Sequence, residues 1–347
     1  MNMLNILLIG QFAPGNLELI YFNAFRQLKK ENIFLYDIRS DSKIMHTHSS
    51  LKRIIQNRFT YNLLSRLVFN GVNNFLEQKK NFYDVVIIFK GMEFSLDNLS
   101  TLKEKQQKAI WININPDNPF NTESIASTNQ NVIDSIKFFD IYCIWSKRLV
   151  EKLSENDAKK VIYLPFAFDS TYHHPPTKHV QIIKDQVIFV GAWDKEREDV
   201  LNSLSNFNLL VFGNGWDRIS KNSLKQKRIF PYNIYLDDLS EAVYSSAVSL
   251  NILRRQNKDS HNMRTFEIPA MNGLMLTTRT EEQNLFFPEG EACLMYDDII
   301  ELKEKIFQII NNPAEAKKIR QNGFKAAKNH TYINRAEELI SVIRKLI

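Results

Sequence analysis

Short runs of β-branched and aliphatic residues alternate with longer segments of helical period along the chain. In the first half the strand-like runs are Leu4–Ile9, Ile33–Tyr36, Val85–Phe89, Ala109–Ile114, Ile141–Ile144 and Val161–Tyr163. Helical periodicity lies between them, at Leu17–Lys30, Ser50–Gln78, Leu99–Lys105 and Lys147–Leu153. A run such as Val85-Val86-Ile87-Ile88-Phe89 is apolar on both faces, which suits the centre of a parallel sheet covered by helices. Strand and helix in alternation predict a doubly wound α/β domain. His173-His174-Pro175-Pro176 interrupts the pattern, because consecutive prolines continue neither a helix nor a central strand. The alternation then restarts. Strands are expected at Val187–Val190, Leu209–Phe212, Asn233–Tyr235, Val248–Ile252, Leu274–Thr277 and Ala292–Tyr296, and helices at Arg197–Leu204, Leu239–Ser245, Arg264–Met271, Asp298–Ile310, Glu315–Lys328 and Asn334–Leu346. The plan is two Rossmann-like α/β domains in series, 1–172 and 186–330, joined by a linker at 173–185 and followed by a tail, 331–347. Ligands of such sheets bind outside the carboxyl ends of the strands, here expected in a cleft between the domains.

Length and composition agree with this plan. A chain of 347 residues exceeds one ordinary hydrophobic core. Its 44% apolar and 24% charged residues are a globular composition. No run of 18 apolar residues predicts a membrane span, and Leu4–Ile9 reads as a first buried strand instead of a signal peptide. A cytoplasmic protein is expected, with its two cysteines, Cys143 and Cys293, as buried thiols in apolar runs. The net charge of +6 is uneven. Between residues 43 and 80, Lys43, Lys52, Arg53, Arg58, Arg66, Lys79 and Lys80 face a single acid, Glu77. That segment is a solvated helix face or a patch for anionic lipid or phosphorylated substrate. Phe59, Tyr61, Phe69 and Phe75 share the spacing of Leu63, Leu64, Leu67 and Val68, the pattern of a buried amphipathic face, which argues against nucleic acid.

The most informative stretch for chemistry is Ser249 to Thr278: a buried strand, a polar loop, a helix opening near His261-Asn262, and a second strand. Asn262 or Ser260 can cap that helix. Its N-terminus would present unpaired N–H groups and the positive end of the dipole to a diphosphate. Arg254, Arg255 and Arg264 flank it and can add bidentate contacts to phosphate. Glu267, three residues after Arg264, can accept hydrogen bonds from two ribose hydroxyls. The ordinary alternative is an Arg264–Glu267 pair within the helix, which stabilises by about 0.2–0.5 kcal/mol.

These and other pieces resemble the CgeB-like glycosyltransferases of the spore-maturation-protein type, related to the large retaining GT-B group. The pieces are Phe189-Val190-Gly191-Ala192-Trp193 followed by Arg197, then Gly213-Asn214-Gly215-Trp216, then Ser249-Leu250-Asn251 with Arg254. Arg264-Thr265-Phe266-Glu267-Ile268-Pro269-Ala270 with Gly273, and His330-Thr331-Tyr332 with Arg335, complete the series. Tyr163-Leu164-Pro165-Phe166-Ala167-Phe168-Asp169 resembles the family's end of the first domain, so coverage runs over roughly 160–340. The resemblance implies a GT-B fold with the donor nucleotide on the second domain, the acceptor on the first, and a last helix that crosses back. It implies transfer of a sugar from a nucleotide-sugar donor to a carbohydrate, lipid-linked or protein acceptor, as in surface polysaccharide or glycoconjugate synthesis. No metal and no further cofactor are implied. Gly191, Arg197, Gly213, Gly215, Trp216, Asn262, Arg264, Phe266 and Glu267 are carried over as donor-binding positions, with Arg254 and Arg264 stabilising the leaving diphosphate. Asp259, eight positions before Glu267, stands where the broader group has a second acid; Asp is shorter than Glu, and as a residue it reads first as a loop carboxylate beside Lys258. Where the family often has Cys-Gly-Gly, this chain has Met271-Asn272-Gly273, and Asn272 can hold the turn.

In the first half, Gly10 to Asn16 forms a small-residue loop between strand and helix, and Lys90-Gly91 ends a second strand. Asp117, in Asn115-Pro116-Asp117-Asn118-Pro119, follows a third. It is the candidate general base for an acceptor hydroxyl, or else a Pro-Asp turn residue. Asp237-Asp238 and Asp297-Asp298 precede helical patterns and read as helix caps, not metal ligands. His173-His174 lacks spaced partners for zinc. Two other readings stand beside transfer: a nucleotide-sugar epimerase on the same fold, and a non-catalytic carbohydrate- or nucleotide-binding module.

Overall fold

The computed structural model describes residues 2–41, 58–78, 82–121, 127–219 and 228–347. They pack as two compact units, Met1–Pro165 with Arg335–Ile347, and Phe166–Asn334.

In the first unit, β1 (Asn5–Gly10), β2 (Asn32–Asp37), β3 (Val85–Phe89), β4 (Ile110–Asn115), β5 (Ile141–Ile144) and β6 (Val161–Tyr163) form one parallel sheet, in the order β2-β1-β3-β4-β5-β6. The connections carry α1 (Leu17–Leu28), α2 (Arg58–Gln78), α3 (Leu96–Lys105), α4 (Gln130–Asp134) and α5 (Lys147–Ser154). The strands predicted to be apolar on both faces are the central ones, and Ile6 to Ile9 and Val85 to Val86 have no exposed surface. Helix starts are set locally. Ser95 and Asn98 form a reciprocal capping box on α3, and Asn129 caps α4.

In the second unit, β7 (Ile183–Val190), β8 (Asn208–Phe212), β9 (Arg228–Phe230), β10 (Ser246–Asn251), β11 (Met275–Thr278) and β12 (Leu294–Tyr296) are again all parallel, in the order β12-β11-β10-β7-β8-β9. The helices are α6 (Lys195–Ser203), α7 (Leu236–Ser245), α8 (Arg264–Ala270), α9 (Glu281–Phe286), α10 (Ile299–Asn311) and α11 (Pro313–Ala327). Leu201, Leu276, Leu302 and Ile306 are fully buried between this sheet and its helices, and each such side chain contributes about 1.5–3 kcal/mol. Arg320 of α11, also buried, donates from Nη1 to the Tyr244 carbonyl at 2.7 Å and from Nη2 to Ser246, so the end of α7 is not left with bare carbonyls. A final helix, α12 (Tyr332–Arg344), leaves the second unit, and from Arg335 onward it packs with the first. There Arg335 Nε donates to the Pro165 carbonyl at 3.1 Å, and Arg344 Nε to Glu31 Oε1 at 3.0 Å. The His173–Pro176 segment lies inside the second unit.

In both sheets the strand order reverses direction once, between β1 and β3 in the first unit and between β7 and β10 in the second. Chain connections diverge at that point and leave the carboxyl ends open to a ligand.

Two expectations are corrected. Asn233–Tyr235 is not a strand; the pairing segment is Arg228–Phe230, where Phe230 stacks on Phe212 of β8 with centroids 4.9 Å apart and Pro231 ends the run. Asp237 and Asp238 do not cap α7. The N-cap is Tyr235, without a side-chain cap bond, and the two acids sit in the first turn, where they favour the dipole. Asp298 is a cap, accepting the N–H groups of Ile300 and Glu301.

The close approach of the loops after β7 and β8 requires glycine. A Cβ on Gly213, whose φ is +148°, would lie 2.0 Å from the Gly191 carbonyl oxygen. Gly290, at φ +76°, has nothing within 4 Å of that position. Gly290→Ala is expected to cost about 1–2 kcal/mol for its left-handed backbone. Gly213→Ala is expected to cost roughly 3 kcal/mol or more, because backbone cannot yield to backbone. Urea denaturation of both variants decides; equal losses would mean that the two loops move apart freely.

Candidate functional site

The carboxyl edge of the second sheet is built around three arginines. Arg197, on the first turn of α6, is 7% exposed, and its donors are committed. Nε and Nη2 reach the Ile252 carbonyl after β10 at 3.2 and 2.9 Å, and Nη1 reaches the Ala192 carbonyl after β7 at 3.0 Å. It is therefore a clamp across the switch point. Burial, and next the charge of Arg254, with Arg264 adding to it, bring its pKa down to about 10. The guanidinium groups of Arg254 and Arg264 thus gather at the same edge, and they are more open than Arg197, with side chains 48% and 28% exposed. Asp194 caps α6 through the Arg197 N–H at 2.9 Å and lies 3.8 Å from Arg254 Nε.

The glycine and tryptophan positions beside this edge are architectural. A Cβ on Gly191 would lie 2.8 Å from the Phe189 ring. Trp216 is 1% exposed, packs edge-on to Phe189, and donates from Nε1 to the Gly191 carbonyl at 2.8 Å. Gly215 opens the turn containing Trp216 at φ +87°. The more open aromatic groups lie one loop further. Tyr232 and Tyr235 are exposed beside Gly213–Gly215, where Asn233 Oδ1 accepts the Asn214 N–H at 3.2 Å.

The polar loop after β10 is held by buried side chains. His261 Nε2 accepts the Phe166 N–H at 3.1 Å, so the ring carries its proton on Nδ1, 2.9 Å from Glu282 Oε2. Ser260 Oγ donates to the same carboxylate at 2.7 Å. Asn262 Nδ2 donates to Asn251 Oδ1 at 2.9 Å, and Asn262 Oδ1 accepts the Thr265 N–H at 3.1 Å. The helix α8 is seven residues long, from Arg264. Asn262 already takes up one of its free N–H groups, so the positive potential at this edge comes chiefly from the guanidinium groups.

Glu267, 7% exposed, pairs with Arg264 within α8, and His173 Nε2 lies 3.6 Å from its other oxygen. Burial raises the pKa of this carboxyl, but the charges of Arg264 and His173 outweigh it and hold the group below the ordinary range. Glu267 is therefore an ionised acceptor at neutral pH. The pairing weighed as the ordinary alternative is formed, and Arg264 Nε also reaches the Val190 carbonyl at 3.3 Å. Phe266 has no exposed surface and packs among His261, Phe286, Phe287 and His330, so its role is in the core. Asn272 takes the left-handed conformation at φ +56°, and Asp259 lies exposed on the loop. His173 is the neighbour of Glu267 that the sequence did not disclose; a His-Pro segment reads as a linker, and only the fold brings it there.

In the first unit the expected base Asp117 is paired with Lys90, Nζ to Oδ2 at 2.7 Å. The loop after β3 is firmly held. Lys90 and Gly91 both take positive φ, and the Met92 carbonyl accepts from Tyr61 Oη and, at 2.9 Å each, from Asn129 Nδ2 and Asn131 Nδ2. Two acids that sequence reasoning passed over, Glu18 and Glu93, lie within electrostatic reach of Lys90. Burial lifts the Glu18 pKa to about 7; its own N–H and that of Gln11 oppose the lift, the Glu93 charge adds to it, and Lys90 opposes it. Burial likewise raises Glu93. Arg39 also faces Glu18 but is engaged by Asp37. Nothing in a Leu-Glu-Leu helix start marks such a carboxyl.

Of the basic 43–80 segment, Lys43, Lys52, Arg53, Lys79 and Lys80 lie outside the described residues. Arg66 is exposed on α2 beside exposed Leu63 and Leu67. Among the described residues no group of three or more His, Cys, Asp and Glu is placed to hold a metal, and no helix is long and apolar enough to cross a membrane. Both cysteines are buried free thiols.

Residues 195–341 match the family model described as Glycosyl transferase-like. No curated protein matches the sequence. Solved structures do match. The sucrose-phosphate synthase of Thermosynechococcus elongatus is similar at 12% identity and TM-score 0.68, over 98% of each chain. HepE of Anabaena, in complex with UDP and glucose, is similar at 10% identity and TM-score 0.63, over 99% of this chain and 100% of that one. The GtfA/B complex is similar at 13% identity and TM-score 0.56, over 80% of this chain, which spans 60% of the length of its counterpart. The fold is the two-unit GT-B fold, and its second unit carries most of the glycosyltransferase-like segment.

Glu18 supplies a test of these electrostatics. Its ordinary pKa is 4.5, and folding raises it to about 7. Between those values the folded chain holds a proton that the unfolded chain has lost, so this group's contribution to stability falls as pH rises. Glu18→Gln removes the loss, so melting temperature relative to wild type is expected to be higher for the variant at pH 8 than at pH 5. A difference independent of pH would show that Glu18 titrates normally.

Proposed function

We propose that this protein is a glycosyltransferase that takes a sugar from a nucleoside-diphosphate donor held by its second unit and passes it to an acceptor hydroxyl. One observation carries the reading: Arg254, Arg264 and the ionised Glu267 converge at the switch point of the second sheet, inside the segment that matches the family model. The UDP complex of HepE, a structural neighbour, supports it. In this reading Glu267 accepts hydrogen bonds from the ribose. Arg254 and Arg264 neutralise the charge that develops on the leaving diphosphate, which takes the place of a metal ion. Exposed Tyr232 and Tyr235 offer ring faces for the base. Gly191, Gly213, Gly215, Arg197 and Trp216 act through the shape of the loops, and Asn262 through the start of α8. The alternatives divide on acceptor dependence: an epimerase would convert the donor with no acceptor present, and a binding module would not convert it.

The test is a thermal-shift screen of UDP, GDP, ADP and their sugar conjugates on the whole chain. A nucleotide at 100 times its Kd should stabilise by about 2.7 kcal/mol. Arg254→Ala should weaken that nucleotide about tenfold or more while leaving the unliganded melting temperature near wild type, since this side chain is half exposed. No shift with any nucleotide, or equal affinity in Arg254→Ala and Glu267→Ala, would overturn the assignment.

We further propose peripheral contact with an anionic cytoplasmic membrane, where a lipid-linked acceptor for surface polysaccharide would sit. Exposed Leu63, Arg66 and Leu67 on α2, next to a basic sequence, support it. Flotation with phosphatidylserine vesicles should recover the protein at low salt and release it at high salt. No recovery at low salt removes the idea.

A further inference from the structure

The segment that the sequence presents as a linker carries an imidazole to which the donor reading gives no part. Its path is fixed on both sides. Before it, Phe168 donates its N–H to the His330 carbonyl at 3.1 Å and accepts the Tyr332 N–H at 3.1 Å. Asp169, itself buried, then closes a turn. Its carbonyl accepts the N–H groups of Tyr172 and His173 at 3.1 and 2.8 Å, and its Oδ1 accepts the Thr171 N–H at 2.9 Å. Beyond the turn, the buried Ser240 Oγ donates to the His174 carbonyl, and Lys178 Nζ lies 2.7 Å from Glu241 Oε1, so the segment is tied to α7. Pro175 and Pro176 narrow the remaining backbone freedom.

The turn also aims the ring. His173 Nδ1 accepts the Asp169 N–H at 3.2 Å, so the neutral imidazole carries its hydrogen on Nε2. Among the described residues that N–H meets no acceptor within hydrogen-bonding distance. Glu267 Oε1 stands 3.6 Å away, too far for the two to satisfy one another. Glu267 Oε1 is in the same condition. Arg264 Nη1 bonds the other oxygen, Oε2, and no described group donates to Oε1, although the side chain is only 9% exposed. A donor and an acceptor thus lie side by side and leave each other free. Both are costly to leave unmatched once water is removed. A hydroxyl group answers both at once, because it has a hydrogen to give and lone pairs that accept. A phosphate oxygen would suit His173 alone and meet the charge of Glu267, and an ammonium would suit Glu267 alone.

We propose that His173 is a ribose-binding residue of the donor site: Glu267 Oε1 takes a hydrogen from one ribose hydroxyl, and His173 Nε2–H bonds the oxygen of the same hydroxyl or of its neighbour. This rests on the transferase reading above, in which Glu267 alone meets the ribose. With His173 added, loss of a hydroxyl from the ligand leaves two groups unmatched where the bound nucleotide displaces water, so ribose is separated from deoxyribose more sharply. His173 reads the pentose and not the diphosphate, which stays with Arg254 and Arg264. An apolar ring of similar size at position 173 would keep the packing and lose the discrimination.

The experiment is titration calorimetry on the full chain with UDP, GDP and ADP, and with the 2′-deoxy and 3′-deoxy forms of each. The wild-type chain is expected to bind its preferred ribonucleotide about tenfold or more tighter than at least one deoxy form. His173→Phe is expected to weaken the ribonucleotide about fivefold and to leave that deoxy form within about twofold of wild type, so that the ratio collapses. Binding of the deoxy form also reports that the variant is folded. A merely structural His173 would weaken both forms by one factor. His173→Gln, whose amide can donate in place of Nε2–H, is expected to recover part of the ratio. A wild type indifferent to the deoxy forms, a ratio unchanged in His173→Phe, equal losses for both forms, or a loss that His173→Gln does not partly restore overturns the role of His173. A wild-type chain that binds none of these nucleotides overturns the donor reading itself, and this proposal with it, so the two failures are distinguishable.

Discussion

The buried guanidinium of Arg197 ties the ends of β7 and β10 together, and the candidate donor edge depends on that tie. Its two bonds to the Ile252 carbonyl and one to the Ala192 carbonyl leave neither loop free to drift. A charge this deep is costly unless every donor is used. Here each of the three guanidinium nitrogens bonds a backbone carbonyl, and the cost is set against a defined geometry. Arg254 starts two residues after the clamped carbonyl, so its position follows from the clamp. The contact between Gly191 and Gly213 acts in the same direction by fixing the neighbouring loop through shape alone.

This explains why one motif can mix binding and architecture. Read as a row of letters, Gly191, Arg197, Gly213, Gly215 and Trp216 look like ligand contacts. In the fold, Trp216 fills the core under the loop, and Arg197 spends its hydrogen bonds on the backbone. In the proposed reading, binding is left to the groups that remain open at the edge, Arg254 and Arg264, and to Glu267, whose ionised state Arg264 and His173 maintain. In that reading the arginine that keeps the glutamate charged also faces the phosphate position, so coupled groups would read the two halves of the donor.

The order of strands and helices was legible because parallel strands buried on both faces leave continuous apolar runs, and these do not depend on distant partners. Val85–Phe89 and Val187–Val190 are such runs. The strand Arg228–Phe230 was not legible, because three residues carry no period and its pairing rests on Phe230 stacking over Phe212. The pair Asp237-Asp238 failed as a cap for a related reason: cap and first-turn acids have the same composition, and only the backbone of Tyr235 and Leu236 separates them. Glu267 could be picked out because its helix carries a recognisable motif. Glu18 could not, since what distinguishes it is its approach to the end of β1, where Gly10 makes the room.

The two units reuse one topological device with different side chains. Each opens its carboxyl edge where strand order reverses, but the second gathers guanidinium groups there and the first gathers carboxyls. A diphosphate is multiply anionic and is attracted to the first arrangement and repelled by the second. Two sheets of the same kind thus differ in what their edges attract through side chains alone, with no change in backbone plan.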